Sequence, residues 1–198
     1  MIQALIKIKH RFPSLWDGVE VINGALFRFR CRGLNTAAES VLGTRSAAGC
    51  RFSRVEEADL EPLAAFFRRQ GPEDMVWFHP HAFDLKSLRK RFRNPAFLMM
   101  KASAPDGETV GYFFLRCFFI GRAFAGLYVD RPWRSQGIGT AMWASCAEIS
   151  QRAGLRMQAT ISADNQASIR SCRKGTEAHL VKELDDHYLA VECQQKRS

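Results

Sequence analysis

The sequence predicts one domain of the α/β or α+β type that carries an N-terminal appendage. At 198 residues, of which 46% are hydrophobic, the chain can bury one substantial core but is too short for two ordinary domains and a linker. From residue 51 onward, short runs typical of strands are separated by runs with helical spacing. Near residues 129–139 a predicted strand leads through a glycine-containing loop into a helix. We therefore divide the chain into an extension, residues 1–50, and a folded domain, residues 51–198.

The extension is basic and amphipathic over its first 32 residues. Apolar and basic positions alternate between residues 2 and 32, which predicts one or two amphipathic helices broken near Pro13. Residues 33–49 are rich in Ala, Ser, Gly and Thr, a composition typical of a linker or a loosely packed connection. Residues 1–54 hold nine Lys or Arg and three acids, so most of the formal charge of +9 lies there. One interpretation of residues 2–32 is contact with a membrane surface or a partner protein.

Strands and helices alternate through the predicted domain. Residues 57–69 carry apolar side chains at helical spacing, and Gly71 with Pro72 ends that helix. The turn-forming sequence PDGE joins two strands as a hairpin, and Asp185 with Asp186 separates the last antiparallel pair. The predicted strands are residues 51–55, 97–102, 110–119, 123–129, 156–161, 179–184 and 188–193. The predicted helices are residues 57–69, 85–93, 139–153 and 165–174, with a loop at 73–84.

The loop before the helix at 139–153 has the features of an anion site. The first N–H groups of a helix lack internal acceptors, and the helix dipole adds partial positive charge there. Glycine at 137 and 139 leaves room for a pyrophosphate, and Arg134 would add a charge-assisted contact. The loop lacks the three glycines of a Rossmann fingerprint and the Gly-Lys-Ser/Thr of a Walker loop. The residues assigned to the site are Arg134, Ser135, Gln136, Gly137, Ile138, Gly139 and Thr140. The alternative is that the glycines only permit a tight turn.

Val129, Arg134, Gly137 and Gly139 match V-x(4)-R-x-x-G-x-G, and by this motif the chain resembles the GNAT superfamily of N-acetyltransferases. The order of elements over residues 51–193 is also similar to that family. The resemblance implies a mixed, mostly antiparallel sheet with a splayed strand pair and helices on both faces. It also implies acetyl-CoA as co-substrate, with its pantetheine arm along Leu127, Tyr128 and Val129. A backbone N–H near Tyr128 or Val129 would then stabilise the oxyanion formed from the thioester.

Two further positions carry the resemblance, one of them with a departure. Asn165 and Ser168, in the sequence ADNQASIRSCRK, match a family pattern in which the Asn binds near the pantetheine. Asn165 would serve equally well as the N-cap of its helix. Seven positions later the family usually has a Tyr that protonates the CoA thiolate, whereas this chain has Cys172. A Cys can donate a proton, but buried thiols are more often packing residues.

Acetyl transfer to an amine also needs a base, because the acceptor nitrogen is mostly ammonium at neutral pH. His79 and His81 are candidates in the region where the family builds its acceptor pocket, with Glu73, Asp74 and Asp84 nearby. Asp130, which follows the splayed strand, is a further candidate. Each of these residues has a purely structural alternative. No third ligand accompanies the histidine pair, so we expect no metal. The sequence WFHPHAFD is similar to GNAT-like proteins that modify amino sugars, which suggests a nucleotide-linked amino sugar as the small-molecule acceptor.

Other classes of protein find little support in the sequence. The cysteines show no paired spacing, which favours reduced thiols in a cytoplasmic protein. The apolar runs are too short to span a membrane, and no nucleic-acid-binding motif is present, so we expect no nucleic-acid partner. The predicted function is acetyl transfer from acetyl-CoA to a primary amine by direct attack in a ternary complex. The alternative is a non-catalytic CoA-binding regulatory module of the same fold.

Overall fold

One eight-stranded sheet organises the chain in a computed structural model, which describes residues 13–30, 33–184 and 187–196. The strands are β1 (Ser46–Ala47), β2 (Cys50–Arg54), β3 (Phe97–Ser103), β4 (Thr109–Phe118), β5 (Arg122–Val129), β6 (Arg156–Ser162), β7 (Glu177–Leu184) and β8 (Tyr188–Gln194). The α-helices are α1 (Pro13–Arg30), α2 (Leu34–Leu42), α3 (Leu60–Arg68), α4 (Pro72–Met75), α5 (Leu85–Phe92), α6 (Ile138–Arg152) and α7 (Gln166–Gly175). The part of the predicted amphipathic segment before Pro13 lies outside the described residues.

The sheet is mixed and mostly antiparallel. Its strand order is β1-β2-β3-β4-β5-β6-β8-β7, and the described pairs are antiparallel except for β5 with β6. Helices cover both faces, which explains why β4 is buried along most of its length. Phe113 and Leu115 face a core that includes side chains of α2 and α6, whereas Tyr112 and Phe114 face a second core with α3 and α5. The fold class expected from the sequence is confirmed.

The splayed strand pair is also present. β5 and β6 pair in parallel only through residues 122–124 and 156–158. Beyond Phe124, β5 continues beside β4 alone, while β6 continues beside β8 alone. A wedge therefore opens between residues 125–129 of β5 and the end of β6, with one backbone edge of β5 left without a neighbouring strand.

The prediction of a linker over residues 33–49 is wrong. This segment contains α2, whose Leu34, Ala38 and Val41 are buried against α6 and the sheet. The small side chains were the source of the error, because alanines that suit a loose connection also allow two helices to approach closely. The boundary between residues 50 and 51 stays a prediction. Within the described ranges, no helix combines the length and apolar character of a membrane span.

Candidate functional site

A cleft of about 640 Å³ lies where β5 and β6 part. Residues 125–129 form one wall and residues 160–162 another, and the beginnings of α6 and α7 close the far side. Glu73, Asp74 and Trp77, from α4 and the loop that follows it, cover the opening. The cleft thus brings together the predicted strand edge, the glycine loop and part of the predicted acceptor region.

The backbone of β5 presents alternate residues to the cleft. The N–H of Asp130 donates to Val110 O at 2.9 Å, so the even-numbered residues of β5 direct their backbone groups toward β4. The odd-numbered residues Leu127 and Val129 consequently direct theirs into the wedge. Of the predicted residues, Tyr128 therefore turns its N–H away from the cleft, and the N–H groups of Leu127 and Val129 remain as donors.

The loop before α6 has the geometry of an anion cradle. Ser135 and Gly137 both have positive φ, at 64° and 85°, and this conformation turns the chain into the first helical turn. The N–H of Ala141 donates to Gly137 O at 3.0 Å, so the N–H groups of Ile138, Gly139 and Thr140 precede the first helical hydrogen bond. Gly137, Gly139 and Thr140 line the cleft. A Cβ on Gly137 would meet open space, so only its φ demands glycine for the fold.

Arg134 lies on the cleft wall but turns its guanidinium onto the protein. Nε donates to Val129 O at 3.0 Å, and Nη1 pairs with Asp74 Oδ1 at 2.7 Å. Nη2 donates to the hydroxyl of Tyr128 at 3.3 Å, and that hydroxyl donates to Gln70 Oε1 at 2.9 Å. The arginine therefore ties the end of β5 to α4, and its predicted contact with a phosphate stays a prediction.

Two more predicted cofactor residues lie off the cleft wall. Ile138 is buried beneath the loop, and Gln136 donates its side-chain N–H to Pro132 O at 3.1 Å. Asn165 and Ser168 do line the cleft. Asn165 Oδ1 accepts from the N–H of Ser168 at 3.0 Å, so the N-cap interpretation of Asn165 is observed in the structure. The cap uses only the oxygen of the side-chain amide.

Cys172 lies on the inner side of α7, facing away from the cleft. Its thiol is buried, with Sγ at 3.5 Å from Cys193 Sγ and 3.6 Å from Thr176 Oγ1. The neighbouring Ser168 and Ser171 line the cleft in its place. These contacts are those of a residue that packs in the core. The role of Cys172 as a proton donor stays a prediction.

The two histidines occupy very different environments, and neither lines the cleft. His79 is exposed. His81 lies among aromatic rings, where Nδ1 donates to Ala82 O at 2.9 Å and Nε2 accepts from the Tyr112 hydroxyl at 3.2 Å. Burial lowers the pKa of His81 from its ordinary 6.5 to about 4. A neutral ring with both nitrogens engaged in this way is positioned to hold the loop.

Asp130, the remaining candidate base, caps the short turn that follows β5. Its Oδ1 accepts from the N–H of Arg131 at 2.8 Å, and its Oδ2 lies 3.2 Å from Arg69 Nη2. It does not line the cleft. The capping and the ion pair account for its place in the structure, and its predicted catalytic role is left without a contact to the cleft.

Several cleft residues were not assigned to the site from the sequence, and three of them, Glu73, Trp77 and Trp143, bear on ligand binding. Glu73 and Trp77 lie at the opening, and Glu73 has no ion-pair partner among the residues that the structure describes. Trp143 is buried on α6 and lines the cleft, and its Nε1–H has no acceptor within the described structure. Glu73 was not assigned because His79 and His81, in the same predicted loop, are residue types more often associated with proton transfer. No sequence signal separates Trp143 from an ordinary core residue of an amphipathic helix.

Comparison with known proteins agrees with this geometry. A profile of the acetyltransferase (GNAT) family matches residues 53–175, more than half of the chain. A comparison with curated proteins finds no match. Among solved structures, the GNAT domain of S. lividans PAT is similar, with a TM-score of 0.63 at 14% identity over 72% of this chain and 89% of that one.

Structures of AAC(6')-Ib are similar as well. Its complex with paromomycin and acetyl-CoA gives a TM-score of 0.59 at 15% identity, covering 75% of this chain and 94% of that one. Its complex with coenzyme A and kanamycin, where it is called an aminoglycoside acetyltransferase, gives 0.58 at 15% identity over 74% and 95%. At these identities the likeness shows the fold alone. The family match over residues 53–175 confirms the resemblance that Val129, Arg134, Gly137 and Gly139 carry. The chain therefore belongs to the acetyltransferase (GNAT) family.

Proposed function

We propose that the protein transfers an acetyl group from acetyl-CoA to a primary amine of a small acceptor by direct attack in a ternary complex. One observation carries the proposal: the wedge between β5 and β6 opens directly beside the anion cradle at the start of α6. A ligand that has a diphosphate joined to an extended chain with two amides suits this pair of features. The diphosphate suits the anion cradle, and the amides suit the edge of β5.

The residues of the cleft fit acetyl-CoA on three counts. The N–H groups of Ile138, Gly139 and Thr140 would hold the pyrophosphate. The free edge of β5 would pair with the amides of the pantetheine as a neighbouring strand does. The buried Nε1–H of Trp143 lacks an acceptor that a carbonyl of the ligand would supply. When bound, acetyl-CoA supplies a thioester that is open to attack by nitrogen.

The acceptor side of the cleft is acidic and aromatic. Glu73 and Trp77 lie at the opening, and both are suited to an ammonium group, Glu73 by charge and Trp77 through its ring face. The similar AAC(6')-Ib structures contain aminoglycosides. We therefore propose a cationic small-molecule amine as acceptor. The nucleotide-linked amino sugar expected from WFHPHAFD has no support in the similar structures, which contain aminoglycosides, and we do not propose it.

Proton transfer can be assigned on the same grounds. The attacking nitrogen must lose a proton, and Glu73 is the carboxylate of the cleft that no described cation neutralises. We propose that Glu73 accepts this proton directly or through water. The N–H groups of Leu127 and Val129 would donate to the carbonyl oxygen of the thioester as negative charge develops there. The departing thiolate takes up a proton from water, so that CoA leaves as the thiol, and Glu73 releases the proton it accepted to solvent, which restores its carboxylate.

A cytoplasmic location is part of the proposal. The cysteines of the sequence show no paired spacing of the kind that a disulfide framework has, which fits a reducing compartment.

The buried position of Cys172 keeps a second function in view. A CoA-binding module without catalysis would retain the cradle and the β5 edge but would need no proton donor on α7. Both functions require acetyl-CoA binding, so binding alone does not separate them. Turnover does.

The test measures CoA thiol released with a panel of polyamines, amino acids, aminoglycosides and nucleotide-linked amino sugars. We expect turnover with a cationic amine, and kcat/KM for that amine about tenfold lower in Glu73→Gln, with the matched control Glu57→Gln unchanged because Glu57 is exposed on the short turn before α3. Tight acetyl-CoA binding without turnover on any amine would favour the module. Parallel double-reciprocal lines with a trapped acetyl-enzyme would contradict direct attack.

A further inference from the structure

Helix α1 is attached to the domain through polar side chains. Glu20 is buried and pairs with Arg91 of α5 at 2.5 Å and with Arg116 of β4 at 2.9 Å. The side-chain nitrogen of Asn23 donates to Cys117 O at 2.9 Å, and its oxygen accepts from the N–H of Phe119 at 3.1 Å. The helix is therefore fixed in a defined orientation by charge pairs and by hydrogen bonds to the end of β4.

The amphipathicity of α1 is the reverse of that of an ordinary surface helix. Its inner face consists of Glu20, Asn23, Gly24 and Phe27, of which only Phe27 is a large apolar residue. A surface helix normally turns its apolar stripe to the core and its polar residues to water. Here the apolar stripe at helical spacing points outward and contains Val19, Ile22, Leu26 and Phe29.

The exposed apolar surface continues beyond the helix. Phe119 and Ile120, in the turn between β4 and β5, are exposed next to the Asn23 contact. We call the six residues Val19, Ile22, Leu26, Phe29, Phe119 and Ile120 the outer patch. The exposed fractions of Ile22 and Phe29 reach 62% and 76%. A group of exposed large apolar side chains on a folded domain marks an interaction site.

Positive charge lies at one end of the outer patch. Arg28 and Arg30 are exposed at the end of α1, and Arg122 is exposed at the start of β5, two residues after Ile120. The guanidinium of Arg30 lies beside Gly121, in the same turn as Phe119 and Ile120. Between residues 18 and 30 the only acid is Glu20, whose charge is buried and paired. The patch therefore combines apolar side chains with a cationic margin.

We propose that the outer patch binds an anionic phospholipid surface, with α1 lying in the plane of the interface. An apolar stripe bordered by Arg matches the acyl chains and the anionic headgroups of such a surface in the way that interfacial helices do.

The geometry leaves the cleft accessible when the patch is bound. β5 begins at Arg122 beside the patch and ends at Val129 beside the anion cradle. An extended strand of this length spans roughly 23 Å, so the cradle and the outer patch lie about that far apart along the strand. Acetyl-CoA binding and lipid binding should therefore be independent, and the failure of one does not imply the failure of the other.

The test is sedimentation of the full chain with vesicles of phosphatidylcholine and phosphatidylserine, against vesicles of phosphatidylcholine alone. We expect binding to the anionic vesicles that weakens as salt is raised. The double substitution Ile22→Ser with Phe29→Ser should weaken it about tenfold or more, and Arg28→Ser should weaken it about fivefold. The matched control is Leu180→Ser with Val181→Ser on β7, where both residues are 57% exposed. This control should bind as the wild type does, and thermal unfolding should show every variant folded.

Three results would overturn the proposal. Failure of the wild type to sediment with anionic vesicles would leave the patch to a protein partner. Binding of the Ile22→Ser, Phe29→Ser protein as tight as that of the wild type would assign the lipid contact to other residues. A wild-type dimer in light scattering that this double substitution dissociates would show that a second copy covers the patch.

Discussion

The replacement of Gly139 by alanine should separate the stability of the fold from the binding of acetyl-CoA. Gly139 is in the first turn of α6, with no positive φ, and a Cβ there would lie 3.8 Å from the side chains of Ser171 and Val129. These are ordinary contact distances, so the protein itself accommodates the methyl group. Alanine is preferred to glycine inside a helix, and the free energy of unfolding should rise by about 0.5–1 kcal/mol.

Acetyl-CoA binding should change in the opposite direction. Cα–Cβ bonds tilt toward the N-terminus of a helix, so the new methyl would stand over the first-turn N–H groups and narrow the gap between β5 and α7. A pyrophosphate could then reach hydrogen-bonding distance of these N–H groups only if the methyl group or its neighbours moved. We expect the Kd for acetyl-CoA to rise at least about tenfold, a loss of about 1.4 kcal/mol.

Calorimetric titration with acetyl-CoA and urea unfolding measure the two effects. Gly18→Ala is the matched control, because Gly18 is in α1 and its Cβ would meet nothing within 4 Å. The control should gain similar stability and keep the wild-type Kd. A Gly139→Ala protein that binds acetyl-CoA within twofold of the wild type would refute the assignment of the cradle.

Other substitutions test the surroundings of the site. Trp143→Phe removes an N–H that lacks a protein acceptor, so stability should hold while the Kd for acetyl-CoA rises about fivefold by calorimetry; an unchanged Kd would remove Trp143 from the site. Gly175→Ala would place a Cβ 2.4 Å from Thr140 O, a backbone atom that cannot move without shifting the helix. The free energy of unfolding in urea should therefore fall by about 2 kcal/mol or more. A fall of less than about 0.5 kcal/mol would contradict this packing. His81 has a folded pKa of about 4, below its ordinary 6.5, so its stabilising contribution is present above pH 6.5 and is lost as pH falls toward 4. The wild type should lose about 3 kcal/mol over that range relative to His81→Gln in unfolding experiments, and parallel pH curves would show that the ring is not buried neutral.

The sequence predicted the elements that rest on local periodicity and punctuation. The hairpin around PDGE is present as β3 and β4, and the helix after the glycine loop begins at Ile138, one residue from the predicted start. The splay between β5 and β6 followed only from the family resemblance, because strand periodicity carries no information on where two neighbours part. Gly137 and Gly139 were predicted as site residues because the first N–H groups of any helix lack internal acceptors, and the structure places both residues on the cleft wall. Their contact with a pyrophosphate stays a prediction.

The failures have physical causes too. The prediction of a linker over residues 33–49 is wrong because composition alone is ambiguous there. Small residues suit a loose chain, and they equally suit a close contact between helices such as that of α2 with α6. His81 was a candidate base because its type suggests proton transfer, but only the tertiary structure shows that Tyr112 and Ala82 engage both ring nitrogens. The outward orientation of the apolar face of α1 could not be predicted from the sequence. The spacing of apolar residues indicates that a helix is amphipathic, but it does not indicate which face packs against the domain.

The central claim is that acetyl-CoA occupies the wedge between β5 and β6 with its pyrophosphate on the start of α6. A crystal structure of the full chain with acetyl-CoA tests it most directly. The account predicts the pyrophosphate within hydrogen-bonding distance of the N–H groups of Ile138, Gly139 and Thr140, and the pantetheine along residues 125–129. Acetyl-CoA bound elsewhere, with the wedge empty, would contradict the claim.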